Sequence, residues 1–233
     1  MSQQHVELHS MGAVPLVAPE AFAPHIRIAA HVIPFLDTSD GAHDLAHLLR
    51  VWHNAQRIAA VEGGEGEVLA AAVLLHDCVA IDKTPSLRPR AAALAAERAG
   101  IILTELGWDE DKIAAVQHAV AAHSFAADIV PMTLEARVVQ DADRLDAIGY
   151  IGIARCFYTA GRLGSVLYQV EDVSSKHRVL DDSRYALDHF RAKLLRLGEN
   201  FQTATGSQMA AERTQVIAAF VSGFEAELRF IDC

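Results

Sequence analysis

Cysteine is nearly missing from this chain: Cys78, Cys156 and Cys233 are far apart, odd in number and form no CxxC pair. That excludes a disulfide framework and fits a reducing cytosol. Positive charge is also short, with 20 Lys and Arg against 30 Asp and Glu and a formal charge of −10. An extended nucleic-acid partner needs clustered cations, so a nucleic-acid polymer is excluded while a small phosphorylated substrate is not. A bound cation can reverse the local sign of a site inside an acidic protein. No long hydrophobic run occurs: the longest, Val68 to Leu75, is too short to span a bilayer and ends in His76-Asp77. Met1 to Pro15 lack a basic segment followed by an apolar one, so no signal peptide is read there. The expectation is a soluble, cytoplasmic protein with no membrane partner; a homo-oligomer is left open. Internal repeats, low-complexity linkers and strand-like alternation are missing as well.

What is present is alanine and aliphatic bulk. Of 233 residues 52% are hydrophobic, ample for a substantial core, but only 6% are aromatic. Alanine has the best helix propensity and little bulk, so closely packed helices are expected. Residues 1–18 show no period and are read as a flexible arm. A helical stretch over Pro19 to Leu36 is interrupted at Pro24 and closed by Pro34. Asp40 would cap a helix over about 41–62 that ends at Gly63-Gly64, with Leu45, Leu48, Leu49, Trp52, Ala55 and Ala59 on one stripe. Glu67 to about Val79 is apolar on every face and predicts a buried central helix. Further helices are expected at about 90–106, 110–123 and 133–160, with Gly107 before the second and Asp109 as its cap. An irregular segment over 161–182 and two amphipathic helices at about 183–198 and 207–229 complete the chain. The expected fold is all-α, one domain over 19–233, its site within about 40–160.

Within that frame a few polar residues stand where apolar ones belong. From Val68 to Ile81, His76 and Asp77 are the only clearly polar side chains. A buried carboxylate costs at least several kcal/mol unless it is paired or bound to metal. Alone, the pair is ordinary: Asp77 can cap a helix or meet an arginine, and His76 can be a satisfied core histidine. The second anomaly is Asp141. At 100° per residue, Leu134, Val138, Leu145, Ile148 and Gly152 lie within about 60° of it, whereas Asp143 points to the opposite face and Asp146 off to the side. His47 lies off its helix's main stripe, on a side shared with His43, Arg50, Val51 and Asn54, which suits the rim of a polar cavity. Two inward acids and histidines in one helical domain make metal binding the economical account. Imidazole and carboxylate together suit Mn, Fe, Zn or Co, with Mg also open.

The ordered segments His43-Asp44-x-x-His47-x-x-Arg50-Val51, Leu75-His76-Asp77 and Val139-Gln140-Asp141-Ala142-Asp143-Arg144-Leu145-Asp146 resemble the HD-domain phosphohydrolase superfamily. More narrowly they are similar to its stand-alone bacterial YedJ-like branch. The likeness runs from about residue 25 to the end and includes His118 to Phe125, Leu180 to Phe190 and Lys193 to Leu197. It implies an HD-type helical bundle with a divalent ion held between central helices by His47, His76, Asp77 and Asp141. It also implies metal-activated water attacking phosphorus in a phosphate ester or phosphoanhydride, a nucleotide being the default substrate. Asp77 would orient the water or take its proton, and His118 and His123 are candidates for proton transfer to the leaving group. Five residues apart, those two differ by roughly 140° around an ideal helix, so both can face one ion only if the helix ends between them.

Arg50, one turn from His47, is the best cationic candidate for a phosphate, with Lys83, Arg88 and Arg90 placed to close over a substrate. Two alternatives remain. A two-metal HD-type enzyme, including an oxygenase, adds histidine ligands between His76-Asp77 and the last Asp, usually from separate helices; here only His118 and His123, five residues apart, are available, which disfavours it. A non-catalytic nucleotide-binding regulatory module would be favoured by loss of a ligand, and no position of the motif is missing.

Overall fold

The computed structural model describes residues 19–33, 44–79, 88–124 and 127–228. After a short 3₁₀ turn at Pro19–Phe22 come α1 (Ile26–Val32), α2 (Leu45–Glu62), α3 (Gly66–Leu75), α4 (Arg88–Glu105), α5 (Glu110–Ala122), α6 (Leu134–Asp146) and α7 (Gly149–Leu163). Then follow α8 (Ala186–His189), a π turn (Phe190–Leu194), α9 (Leu195–Leu197) and α10 (Ala204–Leu228). The protein is an all-helical single domain with a His/Asp cluster between its central helices. The only extended pairing among the described residues is an isolated bridge between Val166 and Tyr185. No helix among them is long and apolar enough to cross a membrane. The expected arm at 1–18, Pro34 and the expected cap Asp40 lie outside the described residues.

The centre of the fold is α3. All eight residues from Val68 to Leu75 are buried, and α1, α2, α4, α5 and α6 pack around them. Alanine at positions 70–72 keeps the helix narrow enough for those neighbours to approach. Gly63, at φ +88°, ends α2 by returning its N–H to the Ala59 carbonyl, and the chain turns directly into α3. The cap of α2 is Asp44, whose side chain accepts the His47 N–H at 3.0 Å. Beyond the expected apolar stripe, α2 also buries His47, Val51, Asn54 and Ile58, because α6 covers its second face.

The single helix expected over 133–160 is two. α6 starts at Thr133, whose side chain accepts the Ala136 N–H, and stops at Asp146. Gly149 takes φ +72°, a left-handed conformation that glycine tolerates without the usual steric cost, and α7 leaves in a new direction. α7 closes on Gly164 in the left-handed conformation. The segment 165–185 runs over the surface and is tied to the buried Asp188. Asp188 accepts from Arg178 at 2.5 and 2.7 Å, from the Ser175 hydroxyl at 3.1 Å and from the Asp181 N–H at 2.8 Å. Beneath it Phe157, Phe190, Phe220 and Phe224 pack ring against ring.

Candidate metal centre

Four helix segments, α2, α3, α5 and α6, deliver the cluster. His47 stands in the first turn of α2, His76 and Asp77 directly follow α3, and Asp143 lies on α6. The buried Nε2 atoms of His47 and His76 face each other at 3.3 Å. The Asp143 Oδ1 stands 3.5 Å from the first and 3.8 Å from the second. Asp77, 38% exposed, extends the group on the open side, with Oδ2 3.6 Å from the His76 Nε2. Its Oδ1 lies 3.9 Å from the Nε2 of His123, at the C-terminal end of α5. The His76 and His123 rings meet edge to face at 4.9 Å.

The Nδ1 atoms are all committed elsewhere. His76 donates to the Val73 carbonyl at 2.7 Å and His123 to the Val120 carbonyl at 2.6 Å. His47 donates to the buried carboxylate of Asp146 at 2.7 Å. With a proton on each Nδ1, neutral rings present lone pairs at Nε2, and two lone pairs 3.3 Å apart repel. A cation between them removes the repulsion. The separations of 3.3, 3.5 and 3.8 Å put the centre of the His47–His76–Asp143 triangle about 2.1 Å from each atom. Nitrogen and oxygen ligands bind zinc at about 2.0–2.2 Å. The donor set therefore fits a divalent metal ion.

Asp141, expected as a ligand, is not brought to this cluster. It is fully buried, as its place on the apolar stripe suggests, but its oxygens are taken at the start of α10. Oδ1 accepts the Gln202 N–H, and Oδ2 accepts the Thr203 N–H and hydroxyl, each at 2.8 Å. A Cβ at Gly206 would fall on the same carboxylate. Burial pushes the Asp141 carboxyl up, against these hydrogen bonds, which pull it down. Asp143, expected on the far side, is the α6 acid that faces the histidines, at 27% side-chain exposure. Asp143 thus lies on the polar side of α6, beside His47 and His76, rather than on its apolar seam.

Other expected residues are distributed unevenly. His118 accepts the Met132 N–H through Nε2 at 2.9 Å, an acceptor role at a turn that does not bring it into the cluster. His123 is in the cluster, and burial, helped by the nearby His76, holds its pKa below the ordinary histidine value. A neutral ring with its lone pair at Nε2 suits a metal ligand or proton acceptor better than a general acid. Arg50, expected as a phosphate grip, is engaged with Asp146 through Nε at 2.6 Å and NH2 at 3.1 Å. Arg88 begins α4 and Arg90 is exposed on it, whereas Lys83 lies outside the described residues.

Sequence reasoning missed three participants: Asp143, Asp146 and Arg155. Asp146 is 1% exposed and also accepts from Arg155 NH1 at 2.8 Å. Burial would raise its pKa, yet the hydrogen bonds from His47 and Arg50 outweigh that and hold it well below the carboxylate range. The signal that was available is spacing. Asp143 and Asp146 are three apart on α6, and His47 and Arg50 three apart on α2, so each pair shares a face.

The HD domain family matches residues 44–148. The chain is 31% identical over 210 residues to YpgQ of Bacillus subtilis strain 168, spanning 88% of this chain and 94% of that one. It is similar to the crystal structure of Bacillus subtilis YpgQ in complex with ADP, with a TM-score of 0.66 at 30% identity, covering 87% of this chain and 97% of that one. A crystal structure of an HD-superfamily hydrolase from Bacillus thuringiensis matches with a TM-score of 0.67 at 29% identity, over 91% of this chain and 99% of that one.

Proposed function

Because this chain belongs to the HD domain family, we propose that it is a metal-dependent phosphohydrolase of the stand-alone YedJ-like kind, cleaving a phosphate ester or phosphoanhydride in a nucleotide or other small phosphorylated metabolite. The observation that carries the reading is the facing of the His47 and His76 Nε2 atoms beside Asp143, an arrangement consistent with a cation held between them. The ligands proposed are His47, His76, Asp77 and Asp143, for Mn, Fe, Zn, Co or Mg. The ADP bound to the related YpgQ supports a nucleotide as the small ligand.

When bound, a divalent ion lowers the pKa of its water from about 15.7 towards 7 and offsets charge on the attacked phosphoryl group. The protein's own part follows from its side chains. Asp77, the most exposed of the four, reaches the His76 Nε2 with one oxygen and turns the other towards His123. It can orient a nucleophile with that second oxygen, and His123 can accept the proton through Nε2 or serve as a further ligand. Lys83, Arg88 and Arg90, on the stretch leading from Asp77 into α4, are proposed to meet the substrate's remaining phosphate charge.

His76, Asp77 and His123 form a second group of donor atoms within 4.8 Å of one another, the one feature that favours a two-metal reading. His76 limits it. Its Nδ1 is bonded to Val73, so the single Nε2 can serve only one ion at a time.

The test is direct. Chelated protein is reloaded with Mn²⁺, Co²⁺, Zn²⁺ or Mg²⁺ and offered nucleoside mono-, di- and triphosphates and sugar phosphates, with release of phosphate and pyrophosphate followed. Turnover that needs metal and vanishes in Asp77→Ala and Asp143→Ala is expected. Nucleotide binding without turnover under every metal would make the protein a regulatory module, and oxygen consumption with iron would make it an oxygenase.

A further inference from the structure

His47 differs from the other two histidines of the cluster in how its ring is held. His76 and His123 follow the last turns of α3 and α5, where backbone carbonyls lack helical partners. Each satisfies its Nδ1–H on the carbonyl three residues back. His47 is in the first turn of α2, where the unpartnered backbone groups are N–H donors. Its acceptor comes from another helix, across 99 residues of sequence: Asp146 Oδ2, at 2.7 Å.

We propose that Asp146 is a positioning residue of the metal centre, fixing His47 in the Nδ1–H tautomer with Nε2 turned to His76 and Asp143, while Arg50 and Arg155 hold the carboxylate in place. The inference rests on the metal-dependent reading of the site. Arg50 Nε binds Oδ1, and Arg50 NH2 and Arg155 NH1 both bind Oδ2, so the carboxylate cannot turn away from His47 without breaking charged hydrogen bonds. Arg155 also donates to the Asp146 carbonyl at 3.2 Å, which clamps the end of α6 as well as its side chain. Because Asp143 and Asp146 share a face of α6, the same link sets the ligand pair His47 and Asp143 at their 3.5 Å separation. Removing the carboxylate charge would leave two guanidinium groups beside a cation site with nothing between to offset them.

Two measurements test this without reference to turnover. Long-range ¹H–¹⁵N correlation of histidine rings in the metal-free protein should show His47 as the Nδ1–H tautomer. In Asp146→Asn the ring should become a mixture of tautomers. Calorimetric titration with Mn²⁺ should show affinity weakened by about 10–100-fold in Asp146→Asn, the range for losing such an outer partner, with the metal-free melting temperature reported alongside. A His47 found as the Nε2–H tautomer in the wild type, or an Asp146→Asn that binds Mn²⁺ as tightly as the wild type, overturns the proposal. If the variant fails to fold, the wild-type tautomer decides alone. Absence of hydrolysis would count against the enzymatic reading and leave both results standing.

Discussion

Two acids two residues apart on α6 have opposite duties. Asp143 offers its oxygen to the facing histidines, whereas Asp141 fastens the start of α10 through Gln202 and Thr203. Asp143→Ala should therefore lose metal affinity by calorimetry and keep its metal-free melting temperature. Asp141→Ala should do the reverse: it strands buried donors at about 1–3 kcal/mol, a fall of roughly 2–4 °C per kcal/mol in a chain of this size, and still binds metal. Matching effects in the two variants would mean that the duties are not separated. His118→Ala, losing one acceptor at a turn, should leave metal affinity and turnover within a few-fold, while His123→Ala should reduce one or both at least tenfold. Motif order in the sequence points to His47, His76 and Asp77; of these Asp77, expected to be buried, is 38% exposed, and His47, expected at a cavity rim, is buried. The fourth position, Asp141, is given both by the resemblance and by projecting α6 onto its apolar seam, which selects the most buried acid. Burial does mark Asp141, but as an anchor. The partly exposed acid beside the histidines, Asp143, is legible only from its i, i+3 partner Asp146 and the matching pair on α2.

At the scale of elements, helix identity is readable, as are the breaks at Gly63 and Gly107, but the break after Asp146 is not. The alanine-rich amphipathic stretches all became helices, because periodic burial and propensity agree in them. The break after Asp146 was hidden: Ala147 and Ile148 continue the apolar pattern, and a glycine inside such a pattern is only a weak sign of a turn. Gly149 needs its φ of +72°, and a Cβ there would meet the Arg213 side chain at 3.1–3.4 Å. Gly149→Ala should cost about 1–2 kcal/mol from the left-handed backbone alone, read as a lower denaturation midpoint. The π turn Phe190–Leu194 likewise has no sequence signature here. The surface segment 165–185 depends on Asp188. Burial would raise that carboxyl's pKa, but the hydrogen bonds from Arg178 and Asp181 outweigh it and the value lies below the ordinary one. A carboxyl depressed on folding stabilises above its unfolded value, about 3.9, and that contribution is lost as pH falls through the lower folded value. Asp188→Asn should accordingly melt below the wild type by a constant margin from pH 7 to 5. The margin should shrink only below about pH 4; one that closed near neutrality would show that the carboxylate is not the anchor.

Over the whole molecule, composition was enough to indicate one helical domain, because a chain rich in alanine and aliphatics with no strand alternation has few other ways to bury its surface. The same architecture couples the site to stability. The proposed ligands come from α2, the end of α3 and α6, so an ion that binds only the folded arrangement adds RT ln(1 + [L]/Kd), about 2.7 kcal/mol at a hundredfold excess over Kd. Chelation should lower the melting temperature by roughly 5–11 °C from that condition, and a melting curve indifferent to metal would argue against an ion shared by these helices. α3 has a kinetic consequence too. Its hydrogen-bonded amides from Ala70 to Leu75 sit inside a sheath of other helices, so no partial opening exposes them to solvent deuterium, and their exchange should report global unfolding alone. His76 and the partly exposed Asp77 hang from the end of that core, so an ion bound there would arrive and leave by side-chain rearrangement at the solvent side, with no breathing of the scaffold.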